Sequence, residues 1–147
     1  MNRTFLPTLA LCTIALAALP ACNRAEAPST VANDVAEAQT EAAAANADAR
    51  QDQAQVQIDT TADARAADPD DRGDAIADRA KASYDTAVTR AKGDLDIAQE
   101  ACESQQGDAQ AACKKRAEAV YDTAKSNAQA TLDAERKRSD QTQKLDN

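Results

Sequence analysis

Arg79-Ala80-x-Ala82-x-Tyr84-Asp85-Thr86-Ala87-x-x-x-Ala91-x-x-x-Leu95-Asp96 recurs thirty-seven residues downstream as Arg116-Ala117-x-Ala119-x-Tyr121-Asp122-Thr123-Ala124-x-x-x-Ala128-x-x-x-Leu132-Asp133, with ten of eighteen positions identical. Alanine-rich chains generate spurious self-matches, but the Tyr-Asp-Thr-Ala core and the Leu-Asp pair are not alanine noise, so the two stretches read as copies. In the first copy the apolar and small residues Tyr84, Val88, Ala91, Leu95, Ala98 and Cys102 fall at steps of four and three, a stripe on one helical face. In the second, Cys113, Ala117, Val120, Ala124, Ala128 and Leu132 do the same. Between them lies Gln105-Gln106-Gly107-Asp108, where Gly107 suits the left-handed position after a helix and Asp108 suits the cap of the next. The expected unit is an antiparallel hairpin over residues 74–147, with helices at about 74–105 and 109–138. Asp74 caps the first, and Arg136-Lys137-Arg138 favourably meets the dipole at the end of the second.

At the other end, Met1-Asn2-Arg3-Thr4-Phe5 carries one positive charge and no acid, and Leu6 to Leu19 is apolar apart from Thr8 and Thr13. That is the charged start and apolar middle of an export signal. The run contains Pro7, meets Pro20 and yields to Asn23-Arg24-Ala25-Glu26, so it is too short for a permanent spanning helix of roughly 20 apolar residues. It closes in Leu19-Pro20-Ala21-Cys22, which resembles the lipobox of bacterial lipoproteins: a large aliphatic residue three before, and a small one just before, the modified cysteine. Cys12 does not fit, because bulky Leu11 precedes it. The resemblance covers residues 1–22. It implies that residues 1–21 are removed and that Cys22 becomes an acylated first residue, carrying more than the single chain that gives only marginal membrane attachment. It also implies a cell-envelope address. Asn23, in place of the aspartate that retains such proteins at the inner membrane, points to the outer membrane facing the periplasm.

Export bears on Cys102 and Cys113, which sit symmetrically about the Gly107-Asp108 turn. In an oxidising compartment a structural disulfide is their expected state. A redox-active pair favours a Cys-x-x-Cys-like arrangement, and ten intervening residues do not supply it. Positions summing to about 215 should then be neighbours, bringing Leu95 near Val120 and Val88 near Asn127.

Composition limits what else the chain can be. Among residues 1–21 only Arg3 is charged, so the mature chain holds 16 basic and 25 acidic residues and a net charge near −9. Such a surface repels nucleic acid and anionic lipid. Eleven Val, Ile or Leu residues remain after Cys22, too few for a large core. Alanine with Glu, Gln, Lys and Arg supports long solvated helices instead. Residues 22–73 read as a lipidated, low-complexity acidic tether, partly helical. Val35, Ala42, Ala49 and Val56 recur every seven residues, but the intermediate Ala38, Ala45 and Asp52 are small or charged, leaving a fraying helix from Asn33 to about Arg50. Asp68-Pro69-Asp70-Asp71-Arg72-Gly73 reads as a stop, and Arg72-Gly73-Asp74 as a turn and cap rather than an adhesion motif.

The fold class is therefore all-α: long Ala-rich helices, a C-terminal antiparallel hairpin with one disulfide, and an acidic tether before it. The hairpin half resembles small Ala- and Lys-rich, two-cysteine exported proteins of Gram-negative bacteria, a likeness that supports the hairpin and implies no activity. The plan of lipid followed by helix is similar to the murein lipoprotein family, although strict heptads are missing and Leu145-Asp146-Asn147 stands where that family carries a lysine for wall attachment. With no histidine, the most versatile general base and metal ligand is lacking, and no phosphate loop, nucleophile elbow or zinc-type cysteine cluster occurs. Asp70-Asp71 and Asp94-x-Asp96 lack the oxygen-rich order of a calcium loop, and Lys114-Lys115-Arg116 and Arg136-Lys137-Arg138 lack interleaved aromatics. No catalytic residue, cofactor or metal is expected. The expected role is structural or protein-interacting, through helix-mediated self-association or an envelope partner. The competing readings are a periplasmic module contacting peptidoglycan or misfolded clients through Tyr84 and Tyr121, and a thiol-redox or metal-handling protein.

Overall fold

Asp68 and Pro69, a stop by their sequence, begin the central helix of the molecule. In the computed structural model, which describes residues 25–66 and 68–144, the Asp68 carboxylate accepts the Asp70 N–H at 2.9 Å, Pro69 occupies the first turn, and Asp70 and Asp71 follow there. Proline loses nothing at a position whose N–H is unpaired in any helix, and the acids complement the dipole. Three α-helices result among the described residues: α1, Pro28–Asp59; α2, Pro69–Cys102; and α3, Gly107–Lys144, with a short 3₁₀ turn at Asp63–Arg65 between the first two. There is no strand among the described residues.

The hairpin of α2 and α3 is present, with boundaries wider than the sequence suggests. α2 starts at Pro69 rather than Asp74, so Arg72-Gly73-Asp74 is helical and Asp68 is the cap. α3 runs to Lys144 rather than about 138. Gly107 has a φ of +56°, the left-handed value expected at the turn. Cys102 and Cys113 form the disulfide, with Cα atoms 5.7 Å apart. Far from that bridge the register still holds: the Ser139 hydroxyl donates to the Gly73 carbonyl at 2.7 Å, and Gln143 Nε2 donates to Asp74 at 3.1 Å. Leu95 and Val120 line one groove, as the register requires. Val88 lies in a hollow shared with Glu41 and Lys92, and Asn127 is exposed.

The larger correction concerns the tether. Its helical part extends without a break over Pro28–Asp59 and packs antiparallel against α2. Val31, Val35, Ala38, Ala42, Asn46, Ala49, Gln53, Val56 and Thr60 are the buried or half-buried positions on its inner side. They repeat at about 3.6 residues, the period of a straight helix, whereas a strict seven-residue repeat would demand a supercoil. Asn46 and Gln53 thus replace Ala45 and Asp52 in the seam. Its contacts are small or polar: Gln53 Nε2 donates to Ser83 Oγ at 2.9 Å, Thr86 Oγ1 to the Ala49 carbonyl at 3.1 Å, and Arg79 Nε to Thr60 Oγ1 at 2.7 Å. Gly93 is required here, because a Cβ at that position would stand 2.6 Å from the Ala42 Cβ.

α2 is the shared element. α1 and α3 pack on different sides of it, and among the described residues no Cα of α1 comes within 8 Å of α3. The three helices form a single layer, a slab with two broad faces. Its buried apolar residues, Val31, Ala75, Ala80, Ala91, Cys102 and Leu132, are mostly small. Cohesion comes from close backbone approach, hydrogen bonds between the helices and one covalent bridge.

Candidate interaction site: a groove on one face of the slab

Charge divides between the two faces. At about 100° per residue, all six acids of α1, Asp34, Glu37, Glu41, Asp48, Asp52 and Asp59, project from one edge, and Arg50, its only base, projects from the other. On the acidic face Lys81 and Lys92 of α2 are each bound to the carboxylate one turn on: Lys81 Nζ lies 2.6 Å from Asp85 and Lys92 Nζ 2.5 Å from Asp96. These lysines leave the α1 acids unpaired; among the described residues none has a cation within 4.0 Å.

The opposite face carries a groove of about 850 Å³ that follows the α2–α3 seam and is also lined by Asn46 and Arg50 of α1. Ala87, Ala91, Leu95 and Ala98 of α2 and Ala117, Val120 and Ala124 of α3 make its apolar floor and wall, with the disulfide at one end. Val120 is 67% exposed, an unpartnered aliphatic side chain in a protein that has few. Arg50, Arg90 and Arg116, one from each helix, stand around the groove, all exposed and with no carboxylate within 4.0 Å among the described residues. A smaller hollow continues the seam past Ser83 and Ala87 toward Ile76 and Leu132.

The disulfide end is a polar knot. The Glu103 backbone carbonyl accepts the Glu26 N–H at 3.0 Å, and its carboxylate accepts Gln110 Nε2 at 2.5 Å and pairs with Lys114. That hydrogen bond to Glu103 first, then the charges of Glu103, Glu100 and Glu26, hold the Lys114 ammonium above its usual pKa, against desolvation. Glu26 is pushed above the ordinary carboxylate value by desolvation and by the carboxylates of Asp34, Glu103 and Glu100. Start of α1, end of α2 and start of α3 meet here.

Of the residues singled out from sequence, Cys102 and Cys113 are joined, with Cys102 only 1% exposed. Cys22 and residues 1–21 lie outside the described residues. Tyr84 and Tyr121 are both half-buried in the seam but stand about ten helical positions apart in register, roughly 15 Å, and do not converge. Asp94 lines the groove whereas Asp96 is held by Lys92 on the other face, so the pair shares no site. Among the described residues no group of three His, Cys, Asp or Glu side chains is arranged to hold a metal ion. None of their helices is long and apolar enough to cross a membrane. The arginine-rimmed groove escaped sequence reading because Arg50, Arg90 and Arg116 are far apart in the chain and only the packing of three helices assembles them. No protein-family model matches the chain, and neither a curated protein nor a solved structure shows detectable similarity to it.

Proposed function

We propose that this chain is a lipid-anchored protein of the bacterial cell envelope with a structural or protein-interaction role and no catalysis. The observation that carries the reading is Leu19-Pro20-Ala21-Cys22 at the end of an apolar, singly charged leader. In the mature form Cys22 bears the acyl chains, and Asn23 directs the protein to the outer membrane. The layout of the helices suits an anchor there. Cys22 precedes Glu26 by four residues, and Glu26 is bonded to Glu103 at the disulfide end of the slab. Four residues reach at most about 14 Å, so the anchored end is the disulfide end, and the 34 residues of α2 extend about 50 Å away from it. The protein presents a slab whose disulfide end lies nearest the anchor. A buried disulfide in a polar knot, with neither cysteine exposed, supports a bracing role for Cys102 and Cys113.

The test is fractionation of cells expressing the wild type and Cys22→Ala. The wild type is expected in the outer-membrane fraction and the variant in the soluble fraction. Equal membrane retention of both would defeat the anchoring, and wild type confined to the inner membrane would defeat the outer-membrane address alone.

A further inference from the structure

We propose that the arginine-rimmed groove is the docking site for a second copy of this chain, which inserts the acidic edge of its own α1. This deepens the interaction role proposed above by naming the partner. The two surfaces are complementary in charge, the three arginines of the groove outweighing Asp94, the one carboxylate that lines it. Arg50, Arg90 and Arg116 surround the groove without carboxylate partners, and Glu37, Glu41, Asp48, Asp52 and Asp59 lie exposed on the opposite face without cations within 4.0 Å among the described residues. They also match in length. The groove floor from Ser83 to Cys102 spans about 28 Å, and the acidic edge from Glu37 to Asp59 about 33 Å. Small side chains on both sides permit close approach: Ala87, Ala91 and Ala98 in the groove, and Ala44 and Ala45 beside the acids on α1. Val120, open to solvent in the single chain, is covered when a helix fills the groove. The arrangement turns the three-helix layer into a locally four-helix packing over the α2–α3 seam.

Groove and acidic edge occupy opposite faces, so one contact leaves each copy with a free groove or a free edge. The contact is heterologous, and it propagates rather than closing as a two-fold dimer. One helix width over this length covers roughly 300 Å² per copy, below the ~800 Å² per partner of a stable complex. Association is therefore concentration-dependent and sensitive to salt, which screens exposed charges. Anchoring many copies in one leaflet raises their effective concentration.

The experiment is sedimentation equilibrium of the full chain in density-matched detergent micelles, with two charge-reversal variants built on exposed positions. One is Arg50→Glu/Arg90→Glu/Arg116→Glu, the other Asp48→Lys/Asp52→Lys/Asp59→Lys; a third variant, Arg50→Gln/Arg90→Gln/Arg116→Gln, removes the charge without reversing it. The wild type is expected to form a series extending beyond dimer at low salt, weakened about tenfold or more by 0.5 M NaCl. Each reversal variant alone loses association while keeping the wild-type circular dichroism, the Gln variant falls between, and an equimolar mixture of the two reversal variants regains it. A wild type that stays monomeric at low salt overturns the proposal. So does association that both reversal variants retain, which assigns the contact to another surface or to shared micelles. Failure of lipid attachment at Cys22 is read separately by fractionation and leaves the sedimentation outcome unchanged.

Discussion

The two seams of this slab meet on the same helix and are built by different means. Between α2 and α3 the register is pinned at one end by Cys102–Cys113, in the middle by Leu132 and alanines, and at the far end by Ser139 on the Gly73 carbonyl. Between α1 and α2 there is no covalent link, and the inner face of α1 offers Asn46 and Gln53 among valines and alanines, with Thr60 at its C-cap. Its closest approach depends on the missing side chain of Gly93. A chain poor in large apolar residues can hold helices together either by a cross-link that reduces the entropy of the unfolded state or by letting backbones come near enough for small groups to touch. This protein uses one device on each side of α2.

Breaking the first seam should have the largest effect. The bridge closes a loop of about twelve residues, worth about 3 kcal/mol in the chain-entropy model. Reduction or Cys102→Ser is expected to lower the melting midpoint by about 10 °C or more, read by circular dichroism of the full chain. Equal midpoints for oxidised and reduced protein would mean that the bridge contributes nothing to the seam. Within the same seam, Leu132→Ala should cost about 2–3 kcal/mol, because the side chain is 5% exposed. Leu95→Ala, at the equivalent place in the other repeat, should cost well under half of that, since Leu95 is half-buried along the open groove. Comparable losses at the two leucines would mean that the groove is closed in solution.

The second seam is tested by Gly93→Val. The added carbons run into Ala42, and overpacking of this kind costs about 1–3 kcal/mol. The expected signature is local: α1 becomes the first helix cut by protease while the α2–α3 hairpin resists, and Ala42→Gly in the same chain restores part of the resistance. Uniform loss of protection across all three helices would show that the seams are not separable.

The smallest effect expected is at the polar knot. The folded-state pKa of Glu26 is raised above its ordinary value of 4.5, so the protonated form is favoured by folding. Its contribution to stability is fully present below the unfolded carboxylate range and is lost as pH rises through the folded pKa. Glu26→Gln should therefore raise the melting midpoint slightly at pH 7 and leave it unchanged near pH 3. A lowered midpoint at pH 7 would contradict the repulsion among Glu26, Asp34, Glu100 and Glu103.

The contrast between the seams also explains how much of each is legible in the sequence. The α2–α3 hairpin announces itself through an apolar stripe, an internal repeat, a Gly-Asp turn and two cysteines placed symmetrically about it, and its register comes from that symmetry. The α1 seam has no such stripe. Ala42 and Ala49 lie on it, but its intermediate positions are Asn46 and Gln53, which hydrophobic periodicity does not register, and a seven-residue template picks Ala45 and Asp52 instead. Asp68-Pro69 carries two meanings in sequence, an end for the segment before it and a cap with a first-turn proline for the helix after it. Only the second starts α2 five residues ahead of Asp74. The groove is a product of the layer itself, since three arginines from three helices converge only after α1 docks.

The proposed anchoring depends on which residue begins the protein in the cell. The direct measurement is the intact mass of the protein purified from membranes, followed by the mass of its N-terminal peptide. A chain that begins at Cys22 and carries acyl groups on it is the expected result; a chain retaining residues 1–21, or one beginning at an unmodified Cys22, would contradict the anchoring.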